Sequence, residues 1–149
     1  MTTSITLAGP DALDRVLSLV ERNHAEIGIP SDDEGRRRAI TPLLNGSPHG
    51  AIWLIGPQRA PLGYVLVTFG WSIALGGMEG WVDETFIRQS VRRRGIGTEV
   101  LHAVAVALGQ GGVKALHARL PSPDPSLIAF CERVGFRQRD GLLVLTDTL

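Results

Sequence analysis

Residues 81–98 read WVDETFIRQSVRRRGIGT. The first half has the character of a strand. Trp81, Val82, Phe86 and Ile87 are aromatic or β-branched, which suits a buried, extended segment. Two carboxylates, Asp83 and Glu84, interrupt it. Carboxylates are costly to bury without partners, so two in the middle of such a strand call for a reason. The chain then turns through Arg92, Arg93, Arg94, Gly95, Ile96 and Gly97, and Thr98 and Glu99 open a run of helix formers.

The turn has the makings of a phosphate cradle. Gly95 and Gly97 lack a Cβ, so the backbone can bend sharply and a ligand can approach its amides. The first N–H groups of the following helix have no intrahelical partner and lie at the positive end of its dipole, which favours an anion. Three adjacent arginines add forked, fully charged donors. A diphosphate is the guest this arrangement suits. The motif matches neither G-x-G-x-x-G nor G-x-x-x-x-G-K-[ST]. Without its flanking strand and helix it would read as an arginine-rich solvated turn.

The stretch VDETFI…VRRRGIG resembles the acetyl-CoA-binding motif of the GNAT-family N-acetyltransferases, R/Q-x-x-G-x-G/A after a strand. A second segment, Ala129-Phe130-Cys131-Glu132-Arg133-Val134-Gly135-Phe136, resembles the family's A-x-x-Y-x-x-x-G-F-like segment near the C-terminus. The resemblance is strongest over residues 50–146 and looser in the N-terminal third. It implies an α/β (α+β) fold, with a mixed, mostly antiparallel sheet flanked by helices, and one domain over residues 1–149. It implies acetyl-CoA as acyl donor and direct attack by a primary amine, on a small molecule or, as runner-up, a protein N-terminus or lysine. The rival is a non-catalytic acyl-CoA sensor or interaction module.

The resemblance also implies roles for residues. Main-chain groups around Phe86, Ile87 and Arg88 would bond the pantetheine arm in a gap beside the strand, and an amide near Ile87 would polarise the thioester carbonyl. Arg92, Arg93, Arg94, Gly95, Ile96, Gly97 and Thr98 would hold the phosphates. Glu84 and Asp83 are the candidate bases. Neighbours on a strand face opposite ways, so one of them is expected to face the acceptor. Glu84 is favoured, acting directly or through water. The alternative for either carboxylate is simple pairing with an arginine. Cys131 stands where many members carry the tyrosine that protonates the leaving thiolate. A thiol, with a reference pKa of about 8.5, can donate a proton, but a free cysteine on an apolar helix face is most often packing. Asp124 stands where members often have an asparagine near the pantetheine; stabilising its own turn is equally open.

The bulk numbers are those of an ordinary globular domain. The chain has 149 residues, 44% hydrophobic and 20% charged, enough for one domain with a real core. Lys+Arg and Asp+Glu are 15 each, which disfavours a nucleic-acid binder. One cysteine permits no intrachain disulfide. His24, His49, His102 and His117 show no metal-ligand spacing, so no metal site is expected. No signal peptide or membrane-spanning run is visible, and a cytoplasmic location is the simplest reading. Homodimers are common in the family, but no residue here marks an interface.

Taken in order, the pattern predicts a strand over 4–8 and a helix over 11–25 with Leu13, Val16, Leu17 and Val20 on one face. A capping box from Ser31 to Glu34 opens a second helix to Leu44, with Pro42 in its last turn; Arg36, Arg37 and Arg38 are expected on its solvated side, with a substrate-facing role as the alternative. In the resembled fold these two helices and their loop help form the acceptor site. A hairpin follows over 51–55 and 62–71, then the central strand. A helix over 96–108 comes next, with His102 solvated, then a strand over 113–120 with His117 facing solvent. A rigid Pro121–Pro125 turn leads to a helix over 126–134. Asp140-Gly141 predicts a final hairpin of 136–139 with 142–146.

Overall fold

The structure is a computed structural model that describes residues 2–120 and 124–149. Five strands form one sheet in sequence order: β1 (Ile5–Leu7), β2 (Gly50–Ile55), β3 (Gly63–Ser72), β4 (Gly77–Ile87) and β5 (Ala115–Ala118). The first four run antiparallel as a meander, and β5 lies parallel to β4. Helices α1 (Leu13–Ile27) and α2 (Asp33–Leu44) precede β2; α3 (Ile96–Gln110) makes the crossover from β4 to β5, and α4 (Pro125–Val134) follows. The expected mixed, mostly antiparallel sheet flanked by helices is the observed architecture.

Alternation along the strands divides the core in two. On one face Ile52, Leu54, Tyr64 and Phe86 meet Val16, Leu19 and Val20 of α1 and Ile40 and Leu44 of α2. On the other, Ile55, Val65 and Val67 meet Val100, Leu101 and Val104 of α3, with Phe130 and Val134 of α4 against them. Helix α1 ends where Gly28 enters the left-handed region at φ 76°, and the Gly28 amide donates to His24 O. This is the helix stop glycine accepts at least cost.

Three expectations need correction. The cap of α2 is Asp32, whose carboxylate accepts from Gly35 N at 2.7 Å, and not Ser31, whose hydroxyl is engaged elsewhere. Arg36 is 9% exposed and not part of a solvated face; Arg37 pairs with Asp33 one turn away, as a surface residue does. The C-terminal hairpin does not form. Gly141 takes the turn conformation at φ 79°, but residues 136–149 hold no strand, and Leu143 and Leu145 are 90% and 91% exposed. The turn signal is local, whereas pairing needs a buried face to hold its register. Strand β5 has only four residues and offers little ladder for it. The expected turn at Pro121, Ser122 and Pro123 lies outside the described residues.

Candidate active site

The site begins at an irregularity in β4. Leu66 pairs with Glu84, but the next residue, Val67, pairs with Val82, so Asp83 is the extra residue of a bulge. A bulge shifts the phase of the pleat by one residue. Val82 therefore packs toward α3 while Glu84 and Phe86 turn to the α1 side. The β4–β5 ladder also ends here, at Val82 with Ala118. From Asp83 to Ile87 the far edge of β4 has no strand beside it among the described residues.

Glu84 enters a hydrogen-bonded chain. Tyr64 OH donates to its Oε1 at 2.6 Å, and His24 Nε2 lies 2.9 Å from its Oε2. Asn23 Nδ2 donates to Tyr64 OH at 2.9 Å. Beyond the imidazole, His24 Nδ1 lies 2.9 Å from Ser31 Oγ, which also accepts from Arg36 Nη1 at 2.9 Å. Burial first, and then the bond to Glu84 and its charge, push the Tyr64 phenol far above its usual range. Tyr64 stays protonated and serves as a donor. Asp83 is exposed. Partial desolvation of its carboxyl, then the Glu84 charge, raise its pKa, with Arg119 opposing. Of the two candidate bases, Glu84 alone joins the chain.

His24, Tyr64, Asn23 and Ser31 were not among the sequence candidates, and Arg36 entered only as the alternative to a solvated face. One signal was available: Asn23 and His24 lie three and four positions after Val20 on the buried stripe of α1, where an apolar residue belongs. Nothing local in the sequence shows that β4 lies opposite.

At the end of β4 the donors are divided. Arg88 N donates to Leu62 O at 2.7 Å and Arg88 Nε to Pro61 O at 2.9 Å. The Arg88 amide and guanidinium are thus both turned to the β3 side. By alternation the Ile87 amide faces away from β3, toward the open edge. Phe86 is buried beside Tyr64, their ring centroids 6.2 Å apart. Arg92 is also committed: Nε donates to Ile87 O at 2.6 Å, and Nη1 and Nη2 reach Glu26 at 2.5 and 2.8 Å. Its guanidinium lies over Phe86, and its hydrogen bond holds the Glu26 carboxyl below the usual range. Arg92 therefore straps α1 to β4 rather than standing open to a phosphate.

Arg93 and Arg94 are exposed, and Arg93 holds φ 64°. A non-glycine residue there is uncommon and carries strain. Gly95 caps α3 at φ 77°, with no side chain accepting from the helix amides and nothing within 4 Å of where its Cβ would stand. The Ile96, Gly97 and Thr98 amides belong to that first turn. Gly97 serves packing as well, since a Cβ there would meet Phe130 and Ile87 at 3.2 and 3.3 Å.

Asp124 caps α4, accepting from Ser126 N, Ser126 Oγ and Leu127 N, and these bonds depress its pKa. Its folded pKa lies below the unfolded one, so the cap contributes fully at neutral pH and is lost as pH falls through the folded value. Asp124→Ala should lower the melting temperature at pH 7, and the gap from wild type should close in strong acid. Cys131 is buried on α4, and burial raises its thiol pKa, so it stays protonated. His102 is exposed as expected. His117 is not on the solvent side: it stacks on Trp81 with centroids 4.5 Å apart and lies 3.2 Å from Glu79.

A glycine-led helix N-terminus thus follows a strand that parts from its neighbour, with a largely shielded carboxylate on that strand. The Acetyltransferase (GNAT) family profile matches residues 16–136, and the chain belongs to that family. No curated protein matches. Among solved structures, an integron cassette protein from the mobile metagenome of Cole Harbour Salt Marsh is 28% identical, with TM-score 0.84, covering 97% of this chain and 90% of its own. A predicted acetyltransferase from Clostridium acetobutylicum, solved with acetyl-CoA, is 14% identical with TM-score 0.78, over 97% and 96% of the two chains. An aminoglycoside acetyltransferase from an uncultured soil metagenomic sample, in complex with sisomicin, is 13% identical with TM-score 0.80, over 99% and 96%. No helix among the described residues is long and apolar enough to cross a membrane.

Proposed function

We propose that the chain is an N-acetyltransferase, one catalytic domain over residues 1–149, that moves an acetyl group from acetyl-CoA to a primary amine of a small molecule by direct attack. The observation that carries this reading is the bulge at Asp83. It turns Glu84 into the His24 chain at the same point where β4 loses β5 as a neighbour. On this reading the gap beside β4 takes the donor, and the Glu84 chain next to it takes the proton. Two further features fit an acyl-CoA. The first turn of α3 has no side-chain cap, and the buried Thr85 Oγ1, in the part of β4 that β5 does not flank, has no partner among the described residues. The solved relative with acetyl-CoA supports the donor, and the one with sisomicin supports a small polyamine-like acceptor.

The residues that would hold the donor are Ile87 through its main-chain amide, Gly95, Ile96, Gly97 and Thr98 through theirs, and Arg93 and Arg94 through charge. Acetyl-CoA supplies an acyl carbon already activated as a thioester. The protein contributes position, amide donors and a carboxylate-backed base. Glu84 supplies the negative charge that lets an ammonium give up its proton, and exposed Asp83 adds attraction for a cation. Cys131 packs α4 and has no assigned chemical step.

The test is release of CoA from acetyl-CoA in the presence of a panel of primary amines that includes sisomicin. Turnover with at least one amine is expected; none across the panel, despite donor binding, would favour an acyl-CoA sensor. The phosphate assignment has its own check. Arg93→Ala with Arg94→Ala should weaken acetyl-CoA binding by about tenfold or more at low salt, with a smaller loss at high salt because exposed charges are screened. Arg92→Ala should instead lower thermal stability, because it frees Glu26 and Ile87 O.

A further inference from the structure

We propose that the proton of the acceptor amine is taken up at His24 Nδ1, with Ser31 Oγ as its port and Glu84 holding the charged ring. This rests on the acetyl-transfer reading above and names the proton acceptor within it.

The direction of each hydrogen follows from obligate donors at both ends. An ionised carboxylate only accepts. Tyr64, kept protonated, spends its one hydrogen on Glu84 Oε1, and Asn23 fills the phenol oxygen from the other side. Oε2 then takes its hydrogen from His24 Nε2. That fixes the neutral tautomer: Nε2 carries the proton and Nδ1 a lone pair. At the far end Arg36 can only donate. Its Nη1 gives hydrogens to Ser31 O at 2.8 Å and to Ser31 Oγ at 2.9 Å. The Ser31 hydroxyl hydrogen is then free to point at Nδ1.

Only this junction can reverse. A hydroxyl donates to Nδ1 when the ring is neutral, and accepts from Nδ1–H when the ring is charged. The Nε2–H contact to Glu84 is favourable in both states and stronger in the second. Glu84 thus orients the ring and stabilises the imidazolium, as the third member of a catalytic triad does. The His24 and Glu84 side chains are 13% and 19% exposed, so the pair is largely shielded, while Ser31 stands exposed on the α1–α2 turn. The other charged groups around the ring are Asp83 beyond Glu84, Arg36 behind Ser31 with Glu21 3.8 Å from it, and the Glu26–Arg92 pair further along α1.

The step balances. The acceptor ammonium first gives one proton to Ser31 Oγ, and the Ser31 hydroxyl proton passes to Nδ1. The neutral amine then bonds the acyl carbon, and its second proton leaves with the thiolate as the CoA thiol. Serine is unchanged, histidine gains one positive charge, and the electron pair of the broken acyl–sulfur bond leaves with the thiolate.

Two measurements decide it. Ring-nitrogen NMR of histidine-labelled protein across the neutral range reads the tautomer. Nε2–H is expected for His24 in wild type, and Nδ1–H in Glu84→Gln; an Nδ1–H wild type would overturn the proposal. The second is the pH profile of kcat/KM for CoA release from acetyl-CoA with sisomicin as probe amine. His24→Gln should lower kcat roughly 100-fold, leave KM for acetyl-CoA unchanged and remove the limb that rises with pH. Ser31→Ala should lower kcat less and keep that limb. His24→Gln with an unaltered profile would overturn the proton path. Failure of wild type to bind acetyl-CoA is a separate result, which would overturn the acetyl-transfer reading and the path with it.

Discussion

Glu84→Gln should reduce turnover by roughly 100- to 10,000-fold, the range general-base catalysis contributes, while acetyl-CoA affinity stays at the wild-type value. The substitution keeps the size of the side chain and one carbonyl oxygen. Tyr64 can still donate to that oxygen, so the fold should hold, and an unchanged melting curve is the control. The amide NH₂ then faces His24 Nε2, where wild type presents a carboxylate oxygen 2.9 Å away. The ring is pushed to the opposite tautomer, and the negative charge that would stabilise its cation is gone. The effect belongs in kcat, because the donor is held elsewhere, at α3 and the β4 edge. A variant with near-normal kcat would remove Glu84 from the chemistry and leave the chain of hydrogen bonds a structural feature of the core.

Gly63→Ala should destabilise the protein by more than about 3 kcal/mol, at the upper end of what overpacking costs. A Cβ at Gly63 would lie 1.9 Å from Phe86 O, 2.9 Å from Phe86 C and 3.0 Å from Ile87 Cα. The obstruction is backbone, so no rotamer change relieves it. Strands β3 and β4 would have to part where Arg88 N meets Leu62 O and where Tyr64 pairs with Phe86. That disturbs both the Ile87 amide and the Tyr64–Glu84 bond. Gly109→Ala is the control. It lies within α3 with nothing within 4 Å of a new Cβ, and should be neutral or stabilising by up to about 1 kcal/mol. Urea midpoints of both variants give the comparison. Gly63→Ala within about 1 kcal/mol of wild type would mean the β3–β4 register is not as described.

The architecture was legible because it is written in local patterns. Apolar runs on either side of a breaker-rich turn marked β2 and β3, the stripe of Val100, Leu101 and Val104 marked α3, and Gly95 marked where the chain turns into it. The bulge at Asp83 was not legible, since a bulge is a property of two strands and their register. The chain around Glu84 was hidden for the same reason. His24 is sixty residues away and Tyr64 twenty, and only the packing of α1 on the sheet brings them together. Arg36 and Arg92 show the limit of reading charge from sequence. Each lies in a run of three arginines. In each run it is the first that is drawn inward, to Ser31 in one case and to Glu26 and Ile87 O in the other. The last hairpin failed in the other direction: its turn residues were right, but no neighbouring strand of sufficient length holds the pairing.

The most direct measurement is calorimetric titration of the protein with acetyl-CoA, set beside the same titration of the Arg93→Ala, Arg94→Ala double variant. Saturable one-site binding by wild type, weakened in the double variant and unchanged in Glu84→Gln, is the predicted result. No heat from wild type, or equal affinity in the double variant, would contradict the assignment of the α3 turn and the β4 edge as the donor site.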